Sequence, residues 1–310
     1  MINFRFHLIS LIAVFLALAV GVVMGYGVLG QPTVDTLQGR INAVEARADA
    51  VREENARLRR EQSRLEDVFR EVGAFAATGR LAGESILPVA VRGVDAEKVR
   101  ETVRLARQAQ ATAPAILWLE DKWELTSDDD ADELAEIIGT TSTSRGGIRE
   151  AAARALANRI IVGPLPGRAD LLTALDDAGF IAFEEVDEVA FEPARYEGRP
   201  SRILLVSGNA ADVRFDRGVL PIAAALAASG RLVEVADEWR DVSQGPGRGQ
   251  ELSAVRDGEL AEFVATLDSF DTVDGPLLAV LVLADLGRGT VGHYGFGAGA
   301  DRAAPEWWAE

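Results

Sequence analysis

Residues 8–29 run through twenty-two positions without a charged side chain, and that run limits what the chain can become. At helical rise it covers roughly 33 Å, enough to cross a hydrocarbon core with a little tilt. Its polar members are Ser10, whose hydroxyl can bond back to a helix carbonyl, and Tyr26, placed where an interfacial aromatic belongs. Gly21 and Gly25 form a Gly-x-x-x-Gly step that lets two helices approach, a weak motif because glycine is common in membrane helices. A cleaved signal peptide is the other reading. The run is longer than the usual signal core, and no small-x-small site follows it cleanly. Arg5 precedes the span and the charges after it balance, which predicts a single-pass cell-membrane protein with its amino end inside and its bulk extracytoplasmic.

Beyond Gln31 and Pro32 the pattern changes to sevens. Leu37, Val44, Val51, Leu58, Leu65 and Val72 share one position, and Val34, Ile41, Ala48, Asn55, Gln62 and Phe69 stand three residues before them. These are the d and a positions of a coiled coil over residues 34–72, about 58 Å long if helical. Asn55 and Gln62 at a positions suit a parallel dimer, where each meets its own symmetry copy and fixes register at some loss of stability. The flanking charges agree in part: Arg40 to Glu45 and Glu54 to Arg59 are favourable, Arg47 to Arg52 and Glu61 to Glu66 are not. A lone amphipathic helix folded onto its own domain would show a wider apolar face. The expected partners are therefore the bilayer, through residues 8–29, and a second copy of the chain.

Charge separates this stalk from the rest of the chain. Residues 1–72 hold nine Arg and nine Asp or Glu, so the whole net charge of −17 falls on residues 73–310. An acidic domain is repelled by nucleic acid, which is excluded as a partner. There is no Cys, which removes disulfides, thiolate metal sites and thiol catalysis.

From residue 75 strand and helix patterns alternate. Residues 85–91, 115–119, 202–206 and 232–235 read as strands. Residues 96–110, 131–138, 147–158, 168–178, 218–229 and 275–286 read as helices, with an apolar Ile-Ile-Val at 160–162 after the third. Residues 244–249 are a loop. The expected fold is a Rossmann-like, mostly parallel α/β domain at 75–310, after a membrane segment at 1–30 and a parallel dimeric coiled coil at 31–74.

Chemistry is sparse. Gly208 follows a strand, but no Gly-x-Gly-x-x-Gly or Walker lysine accompanies it, so a structural turn is expected. The stretch 292–299 can either cradle an anion on its backbone amides or pack against the sheet; it supplies Gly292, His293, Tyr294 and Gly295 as a candidate ligand or partner loop. Asp271 and Asp274 join that candidate set, against the bland reading that acids here form a solvated face. Trp118 and Trp123 read as core and rim packing. No nucleophile–base–orienter set is visible, so no catalytic residues, no metal ligands and no cofactor are expected.

The opening residues 1–25, together with Asp271-Thr-Val-Asp274 and Gly292-His-Tyr-Gly295, closely resemble the actinobacterial MctB/SteB family, described as copper transporters. The order of anchor, coiled coil and α/β domain is similar too, so the likeness covers nearly the whole chain. It implies an actinobacterial envelope and two competing roles. One is copper efflux or an outer-membrane channel. The other is an envelope or division scaffold paired with a second membrane protein. Copper is implied by the resemblance alone. Copper sites need soft or imidazole ligands, and this chain offers two Met, two His and no Cys. One helix forms no conduction path, and nothing reads as alternating membrane strands. The expected function is accordingly the dimeric scaffold.

Overall fold

The computed structural model describes residues 4–186, 190–240 and 247–306. Within its first helix the side chains of residues 26–35, 69, 70 and 74 are outside the described set, and with them Tyr26 and the seam positions Val34 and Phe69. Half of the expected loop at 244–249 lies outside as well. The chain divides into two units, residues 1–65 and 66–310.

The first unit belongs to one helix, α1 (Phe4–Ala77). Its window Phe4–Gly25 has a mean hydropathy of 2.8 and buries none of its residues within the chain. One N-terminal helix is thus long and apolar enough to span a membrane. Further along, Leu37, Ile41, Val44, Val51, Leu58 and Leu65 are between 49% and 63% exposed. Charged neighbours pair along the helix instead, as in Arg52 with Asp49 at 2.7 Å and Arg57 with Glu54 at 2.7 Å.

In the second unit the elements are β1 (Ile86–Val91), α2 (Ala96–Gln108), β2 (Ala115–Leu119), α3 (Asp128–Ile138), α4 (Arg145–Val162), α5 (Leu171–Asp177) and β3 (Ile181–Glu185). They continue with β4 (Arg202–Gly208), α6 (Val219–Ala228), β5 (Leu232–Glu238), the single turn α7 (Ser253–Arg256), β6 (Val264–Leu267), α8 (Gly275–Gly287) and β7 (His293–Tyr294). The seven strands form one sheet in the order β3-β2-β1-β4-β5-β6-β7. All neighbours are parallel except β2 and β3. Every residue of β1, β2 and β4 is buried, as in a parallel sheet covered on both faces. Leu87, Val89, Ile203, Leu205 and Val233 face α4 and α6, while Ile86, Ala90, Leu204 and Val206 face α2 and α8. Pro88 is tolerated inside this central strand because pairing of β1 with β2 begins only at Val89.

The helix starts are set by local chemistry. Asp95, Ser127 and Ser144 accept bonds from Glu97, Asp130 and Gly147 amides as N-caps of α2, α3 and α4. Asp128, Asp129 and Asp130 fill the first turn of α3, where carboxylates meet the positive dipole end. Helix α4 does not stop at residue 158. It runs through Ile160 and Val162, because Ile160 is part of the core beneath it. Strands β3, β6 and β7 had no counterpart in the expected pattern.

Candidate functional site

Doubly wound sheets bind ligands beyond the carboxyl ends of strands, where strand order reverses. Here that point lies between β1 and β4, and the protein's own groups fill it. Gly93, at φ +95°, follows β1; a Cβ there would stand 2.3 Å from the Ala210 carbonyl oxygen, so the two loops meet backbone to backbone. The Asp212 amide donates to the Arg92 carbonyl at 2.7 Å. Glu238, buried at the end of β5, accepts from the Asp95 amide at 2.8 Å and from Arg240 Nε at 2.9 Å. Arg240 also donates to the Gly93 carbonyl at 3.2 Å, and its amide donates to Asn209 Oδ1 at 2.9 Å. The start of α2, where a pyrophosphate would sit, is therefore faced by the carboxyl groups of Asp95 and Glu238. Gly208 is a structural strand end, as expected.

The far edge of the sheet holds the predicted loop. Arg256 and Asp268 form an ion pair at 2.9 Å, both side chains almost wholly buried. Arg256 further donates to Thr266 Oγ1 at 2.8 Å, to the Ala298 carbonyl at 2.6 Å and to the Tyr294 carbonyl at 2.9 Å. Asp268 accepts from the amides of Phe296 and Gly297 at 2.8 and 3.0 Å. Gly295 is required there: its φ is +127°, and a Cβ would lie 2.1 Å from Asp268 Oδ1. The glycine-rich amides do cradle an anion, and that anion is the chain's own Asp268.

His293 Nδ1 lies 3.0 Å from Thr266 Oγ1. Burial pushes the His293 pKa down. Tyr294 donates to Asp285 Oδ2 at 3.1 Å, and burial raises its phenol. Gly292 offers its carbonyl to the Thr266 amide at 3.1 Å. Asp271 lies in a different network, accepting two bonds from Arg248 at 2.7 and 2.6 Å, with that guanidinium 5.0 Å over the Trp239 ring. Asp274 is the N-cap residue of α8 and accepts from Thr272 Oγ1 at 2.6 Å. His293 lines a cavity of about 660 Å³ with Asp285, Asp301, Arg302 and Glu306; Asp271 and Asp274 are not among its walls. The six candidate residues thus fall into separate structural roles rather than one acid–base set.

Sequence reasoning missed a second feature, at the carboxyl ends of two interior strands. Ser207 and Asp237 are register partners at the ends of β4 and β5, both buried. Among the described residues Ser207 Oγ, Asp237 Oδ1 and Glu251 Oε2 have no hydrogen-bond partner. Burial first, then the charges of Glu251, Asp268 and Asp271, push the Asp237 carboxyl up to about 8. Glu234, in the middle of β5, is fully buried without a partner among the described residues, and burial raises it well above the carboxylate range. Acidic letters inside the buried run Leu232–Glu238 were the available signal. Among the described residues no group of three His, Cys, Asp or Glu side chains is placed to hold a metal ion. Trp118 and Trp123 are both core residues; Trp118 Nε1 donates to Glu184 Oε2 at 3.0 Å.

A family model described as "Copper transport outer membrane protein, MctB" matches residues 1–305. Similar curated proteins are "Copper transporter MctB" of Mycobacterium bovis and of two Mycobacterium tuberculosis strains. Each is 26% identical over 315 residues, covering 97% of this chain and 98% of the relative. The similarity therefore spans the helix as well as the sheet domain.

Proposed function

We propose, from the premise that this chain belongs to the MctB family, that it is a membrane-anchored dimeric scaffold of the cell envelope. In this reading residues 8–29 hold the chain in the bilayer, residues 34–72 pair in parallel with a second copy, and the acidic α/β domain stands outside the cytoplasmic membrane. A partner protein of envelope assembly or division, itself membrane-bound, docks on the coil or the domain. The observation that carries the reading is the seam: apolar side chains at heptad spacing, about half exposed along the helix, while strands β1, β2 and β4 hide theirs. Sedimentation of the full chain in detergent tests it. The native chain should run as a dimer, and Val51→Lys with Leu58→Lys should give monomers. A dimer that persists with both lysines would place the interface elsewhere.

Copper transport is the second reading, favoured by whole-length similarity to proteins bearing that name. The donor set of two Met, two His and no Cys suits copper poorly. The sheet is open and mostly parallel with helices on both faces, whereas a membrane barrel is closed and antiparallel. Competition titration of the purified chain with Cu(I) should find no stoichiometric submicromolar site. Finding one would move the reading to metal carriage.

A further inference from the structure

In a domain that carries the chain's whole net negative charge, one described cavity has cationic walls and no carboxylate among them. It measures about 570 Å³ and lies where the turn after α1 meets the start of β4 and the end of α8. All of its walls belong to the second unit. Arg80, Arg202 and Arg288 supply the charge, and Phe75, Ala76 and Ala284 supply apolar surface.

Arg202 is the member that the fold does not account for. It opens β4, buried against Gly287, where any side chain would collide with the guanidinium. Nη2 pairs with Glu84 at 3.1 Å, while Nε and Nη1 have no hydrogen-bond partner among the described residues. Burial pulls the Arg202 pKa down, and Glu84 offsets this only in part. Buried donors left unmade are costly, so a group of this kind points to a missing water or ion.

The neighbours decide between those two. Arg80 donates through Nε to the Ala76 carbonyl at 2.6 Å, and Arg288 pairs with Asp285. Each is thereby positioned, and each guanidinium has five N–H donors in a planar fork. Two positioned cations beside a buried third favour an anion over water, and such forks match the oxygens of a phosphate group. The volume falls within the range of small-molecule sites, about 300–1,000 Å³, and exceeds what a bare phosphate fills. We propose that this cavity is an oxyanion site, in which Arg80, Arg202 and Arg288 hold a phosphate group, free or carried on a small ester. The site lies within the domain and does not depend on the coil.

Calorimetric titration of the full-length chain in detergent tests this, in phosphate-free buffer at constant ionic strength. Inorganic phosphate and phenyl phosphate are added in separate experiments. Each should saturate one site per chain, with half-saturation below about 1 mM. Arg80→Gln, at a half-buried position, should weaken both about tenfold or more. Arg202→Lys, which keeps the charge and loses the fork, should do the same. Arg168→Gln, at an exposed arginine outside this cavity, should bind as the native chain does. Tighter binding of phenyl phosphate, with the gain lost in Phe75→Ser, identifies an ester as the occupant; equal or weaker binding identifies the free ion. No saturation by either probe up to about 10 mM, or native affinity in Arg80→Gln, overturns the proposal.

Discussion

Leu58 and Leu205 are the same residue type in opposite circumstances. Leu58 projects from α1 at 49% exposure, and Leu205 lies in β4 at 0%. The contrast extends across the two regions: among the described residues from Phe4 to Leu65 large apolar side chains are turned outward, while those of β1, β2 and β4 are all covered. Burying one such side chain is worth about 1.5–3 kcal/mol. The sheet domain has already gained that energy within one chain. In the proposed reading the helix gains it from lipid over its first part and from another apolar helix beyond. On that proposal the surface that calls for a partner is the stalk, and the domain's buried polar groups are internal.

The sharpest test of the domain half is its buried ion pair. Arg256→Met would leave Asp268 buried and facing the Phe296 and Gly297 amides, and would remove the three bonds by which Arg256 holds Thr266, Tyr294 and Ala298. Breaking one side of such a pair costs about 3–5 kcal/mol. For a domain of this size thermal melting should fall by roughly 10 °C. A shift under about 2 °C would mean that the lock between β6 and β7 contributes little.

A matched pair of truncations breaks or confirms the contrast between regions directly. Leu205→Ala removes core contacts and should cost about 2–5 kcal/mol, lowering the domain's melting point by roughly 5–15 °C. Leu58→Ala should leave that transition within about 1 °C and act on association instead, weakening the dimer roughly tenfold. If Leu58→Ala melts the domain, α1 is packed on its own chain and the seam is misread.

The two regions also differed in how far the sequence disclosed them. Residues 8–29 and the heptads are periodic over long windows, so their helical state needed no tertiary information. Strands β1, β2 and β4 stood out as unbroken apolar runs for the same reason that they are buried on both faces. Strand β3 was hidden because it is an edge, carrying Glu184 and Glu185 where a central strand would be apolar. Strand β6 is four residues long and spends Thr266 on Arg256, and β7 has two residues. The loop at 292–299 was visible as unusual, but its meaning was not. Asp268 lies more than twenty residues before the glycines it requires, and only the fold brings the carboxylate under the Phe296 and Gly297 amides. The meeting of Ser207 and Asp237 was unreadable because their proximity is a matter of strand register.

Asp237 offers the smallest of these tests, and one with a defined sign. Its folded-state carboxyl is held up to about 8 against an ordinary 3.8. The unfolded chain gives up this proton near pH 4, while the fold keeps it until near pH 8. Raising pH across that window therefore favours the unfolded state, and the loss is complete above the folded value. Asp237→Asn resembles the protonated form, so its melting point should match the native chain near pH 4 and exceed it increasingly up to pH 8. The gap is expected to be nil near pH 4 and to widen steadily up to pH 8. Thermal melts at half-unit steps of pH resolve this. A gap that stays constant with pH would show that Asp237 is ionised in the fold, and that a cation or another donor reaches the carboxyl end of β5.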